Sequence, residues 1–446
     1  MKRQRNRGRA MLAALAAMCA VATLPGQAYA AGPPAYAFDP GAKNVQGAER
    51  NAEASVLQPG AVYRSSIKPG EKLYYRVKLD SLTDAYVSAV AVPKSDGTVA
   101  YADGITISIR DLNDSQCSSN SVNFGSGETP RPIAAYAHRT IGKGTSTTCR
   151  DAGPYDVLIE RESKPTSGPE AWDLELRFVE EPGLRSGGPT ETTAPKDWPS
   201  ATPAPPAVEA KKRTGGSSYY DATSLETGEW IDEIAPGQTR FYRVPVDWGQ
   251  QIYASAVLSN TPGGKSDFIG NALTLSLDNP AQGHIVDTSL SYAGKSASTA
   301  LKPLPPVAYR NRYDYGSQVS AMRFAGWYYL SVTLSPKVAE VYGEDPIVLT
   351  TTVQVKNEAG ASPYEGDPGI FAVTGKDKEL AKSGDSAPKA AKSATMQVVA
   401  AGAFGTGAVL VLGLGTWTLL ARRRAAAATV PAHQQPPFGG PPPQGW

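Results

Sequence analysis

Histidine and cysteine are scarce in this chain, with only three of each among 446 residues. His138, His284 and His433 stand far apart, and no cysteine lies at ligand spacing from them, so we expect no zinc site. The motifs G-x-S-x-G and H-E-x-x-H are also missing, which removes common signatures of serine hydrolases and zinc peptidases. The sequence therefore predicts a protein that is not an enzyme and has no cofactor.

An excess of charge of either sign is missing as well. Lysine and arginine total 44 residues against 42 aspartates and glutamates, which leaves a formal net charge of +2. Nucleic-acid-binding proteins concentrate basic residues on one face, so we expect no nucleic-acid partner. Glycine and proline are abundant instead, with 44 and 37 residues, and this favours turns and linkers over long helices.

The beginning of the chain predicts export. Residues 1–30 combine a basic stretch, a short apolar stretch and the small-residue pattern "AYA", as a cleaved signal peptide does. Once Cys19 leaves with this segment, Cys117 and Cys149 are the cysteines that remain. An exported chain with one cysteine pair favours a disulfide, worth roughly 3 kcal/mol through loop closure.

The end of the chain predicts a membrane anchor. Residues Met396 to Ala421 carry no charge over a length that can cross a bilayer, and three arginines follow at once. With a cleaved signal, this predicts a single-pass type I protein of the cell membrane with residues 31–395 outside. Residues 422–446 then form a cytoplasmic, proline-rich tail that is disordered by composition.

The middle of the chain is an internal repeat. "PGEKLYYRV" at 69–77 returns as "PGQTRFYRV" at 236–244, and "RDAGPYDVLI" at 150–159 returns as "RFAGWYYLSV" at 323–332. Several such blocks keep their order with only small changes in spacing, which indicates two copies of one structural unit.

Each block alternates apolar and polar residues with the period of a β-strand. In the first copy Tyr75, Val77 and Leu79 share one face. The segment "WDLELRF" at 172–178 alternates in the same way. Trp172, Leu174, Leu176 and Phe178 point inward, and Asp173, Glu175 and Arg177 point to solvent. The pattern predicts an all-β protein made of short strands and turns.

The blocks and the composition between them set the domain boundaries. We predict β-sandwich domains at 52–182 and 218–357. A Pro/Thr-rich linker at 183–217 joins them, and a stalk at 358–395 leads to the membrane helix at 396–421.

The repeated motifs also resemble a known family. An "xPGxxxxYRV" strand, an alternating strand and an "AGxYxxxV" strand are similar to the bacterial pre-peptidase C-terminal domain, and to actinobacterial single-pass surface proteins that are sometimes fused to von Willebrand factor A domains. The resemblance covers both repeats but not the linkers. It implies two tandem jelly-roll-like sandwiches that bind or scaffold rather than catalyse.

Loops on a rigid sandwich usually carry specificity, and the second copy has an insertion rich in aromatic and arginine residues. The candidate partner-binding residues are Tyr309, Arg310, Arg312, Tyr313 and Tyr315. The partner would be an unknown surface protein or, alternatively, a cell-wall glycan. The same residues could instead cover the edge of the core.

Three further patterns allow other chemistry. "DTSLS" at 287–291 has the form of a von Willebrand metal site but lacks the strand and the α/β context that such a site needs. Clustered Asp103, Asp111, Asn113 and Asp114 could bind calcium or simply form turns. A hydrolase with a triad built from distant residues is the least favoured function, and His138 would be one of its candidates.

Overall fold

The computed structural model describes residues 35–141, 148–261 and 267–392, together with 416–418, 420 and 423. The predicted signal peptide at 1–30, almost all of the predicted span at 396–421 and almost all of the tail lie outside these residues. Within the described ranges, no helix is both long enough and apolar enough to cross a membrane.

The first sandwich is built from ten strands. In chain order they are β1 (Lys43–Asn44), β2 (Ser55–Val56), β3 (Val62–Ile67), β4 (Lys72–Leu79), β5 (Asp84–Val92), β6 (Gly104–Arg110), β7 (Gln116–Asn123), β8 (Ile133–Arg139), β9 (Gly153–Glu162) and β10 (Trp172–Glu181). They form two five-stranded sheets with the orders β1-β3-β10-β5-β8 and β2-β4-β9-β6-β7. The successive long strands β3 to β6 therefore alternate between the two sheets.

The second sandwich has the same plan. Its strands are β11 (Lys211–Lys212), β12 (Thr223–Ser224), β13 (Gly228–Ile234), β14 (Thr239–Val246), β15 (Gln251–Leu258), β16 (Ile269–Asp278), β17 (His284–Tyr292), β18 (Ala297–Ala300), β19 (Gly326–Leu334) and β20 (Ile347–Lys356). The sheet orders are β11-β13-β20-β15-β18 and β12-β14-β19-β16-β17, which match the first sandwich strand for strand. The all-β sandwich predicted for each copy is confirmed, and the two copies share one topology.

The helices are short and lie outside the sheets. They include α1 (Ser317–Ala321), α2 (Lys337–Tyr342) and α3 (Gly375–Ser383), with 3-10 turns at Asn51–Glu53, Gly125–Gly127, Tyr309–Tyr313 and Gly369–Phe371, and residues 387–392 are helical as well. Thr374 caps α3 by accepting a hydrogen bond from the backbone N–H of Asp377, whose carboxylate accepts one in return from the Thr374 backbone N–H.

The inward faces predicted from the alternation form the two cores. Tyr75, Val77 and Leu79 are buried on β4, and Leu174 and Leu176 are fully buried on β10. The disulfide between Cys117 and Cys149 is also confirmed, and it ties β7 to the loop before β9. Because Cys149 belongs to the core cluster of the first sandwich, the bridge fastens that loop to the core.

The outward faces depart from the prediction. Glu175 was expected in solvent, yet only 3% of it is exposed, and β5 is buried along nearly its whole length on both faces. The cause is the second sandwich, because Val90 and Ala134 of the first pack against Phe241 and Tyr329 of the second. One sheet from each sandwich meets the other face to face, so the outer side of the β5–β10 pair is a domain interface.

The segments between and after the sandwiches follow their surfaces. In the predicted linker, Leu184 forms an antiparallel bridge with Tyr364, and the carbonyl of Pro199 accepts a hydrogen bond from the Gln251 side chain at 2.9 Å. Residues 358–392 differ from the stalk expected for 358–395. Phe371 is 1% exposed and stacks on Phe324 with ring centroids 4.6 Å apart. These apolar anchors fold the segment back onto the sandwiches.

Candidate binding cleft between the sandwiches

A buried ion cluster joins the two sandwiches. Arg312, from the 3-10 turn of the second copy, donates to Asp84 at 2.9 Å and to Glu181 at 3.1 Å, both in the first copy. The three side chains are 2%, 9% and 1% exposed, respectively. The hydroxyls of Tyr86 and Tyr364 also donate to Glu181. Below, Arg312, Asp84 and Glu181 are called the interdomain ion cluster.

The interdomain ion cluster favours the charged form of Arg312 but disfavours the charged form of Asp84. Burial and the neighbouring charge of Glu181 raise the pKa of Asp84 to about 6, although Arg312 opposes the shift. Burial disfavours the charge of Arg312, but Glu181 and the surrounding tyrosines together outweigh that effect and raise the pKa of the guanidinium. A single cation pairs with two carboxylates of the other domain.

His138, the candidate catalytic histidine, belongs to the same interface. Its ring is tilted against Tyr86 and Tyr136, with both centroid distances at 5.9 Å. Burial, followed by repulsion from Arg323 and Arg312, lowers the pKa of His138 to about 3. The imidazole is therefore neutral, and in this arrangement it serves as a packing group between aromatic rings.

His284 is held by two carboxylates. Its Nδ1 lies 3.1 Å from Asp278 and its Nε2 lies 3.5 Å from Asp287. Asp278 also accepts a hydrogen bond from the hydroxyl of Tyr219 at 2.7 Å. Burial alone would lower the pKa of His284, but the hydrogen bonds to both carboxylates prevail and raise it to about 9. A protonated imidazole cannot accept a proton, so it is a structural cation at neutral pH.

The raised pKa of His284 predicts a pH dependence of stability. The folded pKa of about 9 exceeds the unfolded value near 6.5, so the ion pair contributes fully below about pH 6.5 and is lost as the pH rises through 9. We expect the free energy of unfolding to fall by about 2 kcal/mol across this window.

Urea denaturation of the wild-type protein and of His284→Gln at pH 6 and pH 9.5 measures this effect. The variant should lose most of the pH-dependent difference. The shift at Asp84 acts mainly below about pH 6 and is common to both proteins, so it cancels in the comparison. An identical dependence of the free energy of unfolding on pH in both proteins would contradict the assignment.

A cleft of about 360 Å³ opens beside the interface between the two sandwiches. Its second-sandwich wall carries Arg243, Trp327 and Tyr329 on the outer face of β14 and β19, and its first-sandwich wall carries Glu175 and Arg177. The full lining also includes Asp39, Val62, Tyr219, Tyr220, Pro280, Gln282, Gly369, Ile370, Ala372, Asp377 and Ala387. Its size falls within the usual range for small-ligand sites, about 300–1,000 Å³.

The side chains of the cleft hold one another in place. The guanidinium of Arg243 lies over the ring of Trp327, 4.1 Å from its centroid, and its Nε donates to Ser224 at 2.9 Å. The indole N–H of Trp327 donates to Asp377 at 2.9 Å, which connects the cleft to α3. Burial lowers the pKa of Arg243, so its charge is held in a partly dehydrated environment.

Some polar side-chain atoms at the cleft have no hydrogen-bond partner. Within the described part of the chain, Arg243 Nη2 and Arg177 Nε have no hydrogen-bond partner. One carboxylate oxygen of Glu175 accepts from Gln282 at 3.2 Å, and burial raises the pKa of this glutamate. Unpaired buried polar atoms cost free energy, so the two arginines are candidates to contact a further polar group.

The structure places the five predicted partner-binding residues in different environments. Arg312 is buried in the interdomain ion cluster, and Tyr309 lies beneath it with its ring centroid 3.5 Å from the guanidinium carbon. Arg310 pairs with Glu191 of the linker. Tyr313 is partly buried, whereas Tyr315 is fully exposed. A partner-binding role for these five residues stays a prediction, and Tyr315 is the most accessible of them.

The carboxylates considered for metal binding have protein partners. Asp287 contacts His284, Asp103 accepts from the backbone of Ala100 and Lys164, and Asp111 accepts from the backbone of Asn113 and Ser115. Within the described ranges, no group of three or more His, Cys, Asp or Glu residues could hold a metal ion. These carboxylates shape loops and turns.

Fold and cleft together define a tandem β-sandwich protein with a cleft between its two sandwiches. No protein-family model matches the chain, and no curated protein matches it. Among solved structures it is similar to tripeptidyl peptidase 2, with 9% identity and a TM-score of 0.21 over 67% of this chain. The chain spans only 24% of the length of that peptidase.

Two other solved structures are similar at the same low level. The CBM22-1-CBM22-2 tandem domain of Paenibacillus barcinonensis Xyn10C has 11% identity and a TM-score of 0.18, over 65% of this chain and 83% of that one. GEBA250068378 from Sulfurospirillum deleyianum has 12% identity and a TM-score of 0.17, over 27% and 97%. Scores this low carry no argument about function, and the resemblance to pre-peptidase C-terminal domains stays a prediction.

Proposed function

We propose that the protein is a non-catalytic binding protein displayed outside the cell by one C-terminal membrane helix, and that the cleft between its sandwiches is the recognition site. The observation that carries the proposal is the convergence of Arg243, Trp327 and Glu175 in that cleft, with polar atoms left unpaired. The interdomain ion cluster supports it, because it joins the two sandwiches that form the walls of the cleft.

Several features support the individual parts of this proposal. The alternation of strands between sheets is the order of a jelly roll, a fold common among binding modules. His284 is a protonated ion-pair partner and His138 a neutral packing group, which favours binding over hydrolysis. Export and anchoring rest on the sequence at 1–30 and 396–421.

Photo-crosslinking on intact cells tests the site without assuming the class of ligand. The full chain would carry p-benzoylphenylalanine in place of Tyr220, a half-buried residue of the cleft. We expect irradiation to give a discrete adduct. Adding Trp327→Ala should reduce its yield at least tenfold, because buried tryptophans are frequent binding hot spots.

The matched control carries the same photo-reactive residue in place of Tyr101, which is 59% exposed and does not line the cleft. Thermal denaturation of each variant checks that the fold is retained. Equal adducts at both positions, or none in the cleft, would count against the proposal. Protease treatment of whole cells tests display, since a protected ectodomain would contradict it.

A further inference from the structure

The segment that leads toward the predicted membrane helix stays attached to the second sandwich almost to its end. The guanidinium of Arg213, directly after β11, donates to the carbonyl of Lys382 at 2.7 Å and to that of Ser383 at 2.5 Å. The hydroxyl of Ser224 on β12 donates to the carbonyl of Asp385 at 2.6 Å. These bonds hold the end of α3 and the residues after it against the sandwich.

Only a short stretch of chain separates this attachment from the predicted membrane helix. Asp385 and Met396 stand eleven residues apart. Residues 387–392 are helical, so the eleven residues span at most about 30 Å. A fully extended stalk over residues 358–395 would span about 130 Å. The second sandwich is therefore kept close to the bilayer, and so is the cleft, because Ala387 belongs to its lining.

Exposed lysines surround the attachment. The five that we call the juxtamembrane lysines are Lys211, Lys212, Lys382, Lys389 and Lys392. Lys382 pairs with Glu379 and Lys389 pairs with Asp385, both at 2.9 Å, and the charge of Glu226 also acts on Lys382. Among the described residues, the other three juxtamembrane lysines form no ion pair with an acid. Their ammonium groups are available to phosphate groups that lie at the surface of a bilayer.

We propose that this end of the second sandwich is a membrane-contact surface, on which the juxtamembrane lysines bind the phosphates of anionic lipid headgroups. The inference rests on the membrane anchor of the proposed function and adds the outer leaflet as a partner. Basic side chains near an anionic bilayer are attracted to it, and the short tether keeps these lysines at a high effective concentration of lipid. The sandwiches then lie against the bilayer, and the cleft is presented beside it.

Lysine acylation in proteoliposomes tests this surface on the full chain. The protein would be reconstituted in vesicles of phosphatidylcholine and in vesicles of phosphatidylcholine and phosphatidylglycerol in equal parts. An amine-reactive reagent that does not cross the bilayer would then be added, and acylated peptides would be mapped by mass spectrometry. We expect Lys211, Lys212 and Lys392 to react at least about threefold more slowly in the anionic vesicles. Salt at about 0.5 M should remove most of the difference, because it screens the attraction.

Lys68 and Lys164 are the matched controls within the same molecules, because both are exposed lysines of the first sandwich. Their acylation rates should be the same in both kinds of vesicle. Flotation in alkaline carbonate checks the anchor on the same samples. Release from the vesicles would overturn the anchor and this inference together. Retention with unprotected juxtamembrane lysines, with equal protection in both kinds of vesicle, or with equal protection of the controls would overturn the inference and leave the anchor standing.

Discussion

Replacing Arg312 by alanine should lower the free energy of unfolding by about 3–5 kcal/mol, one of the two largest effects expected in this chain. The substitution leaves Asp84 and Glu181, 9% and 1% exposed, without their cation. An unpaired buried carboxylate is far more costly than an exposed one, since neither water nor protein replaces the lost partner. Urea denaturation of the full chain, followed by tryptophan fluorescence, measures the change.

Arg310→Ala is the matched control on the same 3-10 turn. Arg310 pairs with Glu191, but the two side chains are 32% and 69% exposed, so water compensates for the loss. We expect an effect below about 1 kcal/mol. Similar losses in both variants would show that the turn matters as a whole and that the interdomain ion cluster has no special weight.

The second large effect is expected from the disulfide. The double substitution Cys117→Ser and Cys149→Ser should lower the free energy of unfolding by roughly 3 kcal/mol. The bridge spans a sequence separation of 32 residues and restricts that loop in the unfolded chain. Cys149 also packs in the core of the first sandwich, so its hydroxyl replacement meets an apolar environment.

Reduction provides an internal control for this prediction. Dithiothreitol should destabilise the wild-type protein by a comparable amount and leave the serine variant unaffected, because only the former contains a bond to reduce. A variant as stable as the wild-type protein under oxidising conditions would contradict a stabilising role for the bridge.

The sequence predicted the inward faces of the strands better than the outward faces. Leu174 and Leu176 follow from a period of two, because a sandwich core needs only local alternation. Glu175 could not be placed in the same way. A charged residue on the outer face of a strand is typical of contact with solvent, and nothing local reveals that another sheet will cover it. Contacts between domains arise from surfaces that are distant in sequence.

The cleft was missed for a related reason, although one signal was present. The quoted repeat places Arg243 at the position of Arg76, but the cross-strand partner of Arg243 is Tyr329, 86 residues later on another strand. Aligning "PYD" with "WYY" shows that Asp156 of the first copy corresponds to Tyr329 of the second. The loss of a carboxylate opposite a retained arginine is therefore readable from sequence once the strand pairing is known.

The burial of β5 on both faces has a consequence for the boundaries of the protein as a folding unit. A strand covered on one side by its own sandwich and on the other by its neighbour belongs to two cores at once. Each sandwich covers apolar residues of the other. An isolated first copy would expose Tyr86, Val90 and Tyr136 to water. We therefore expect the two sandwiches to unfold together in one cooperative transition.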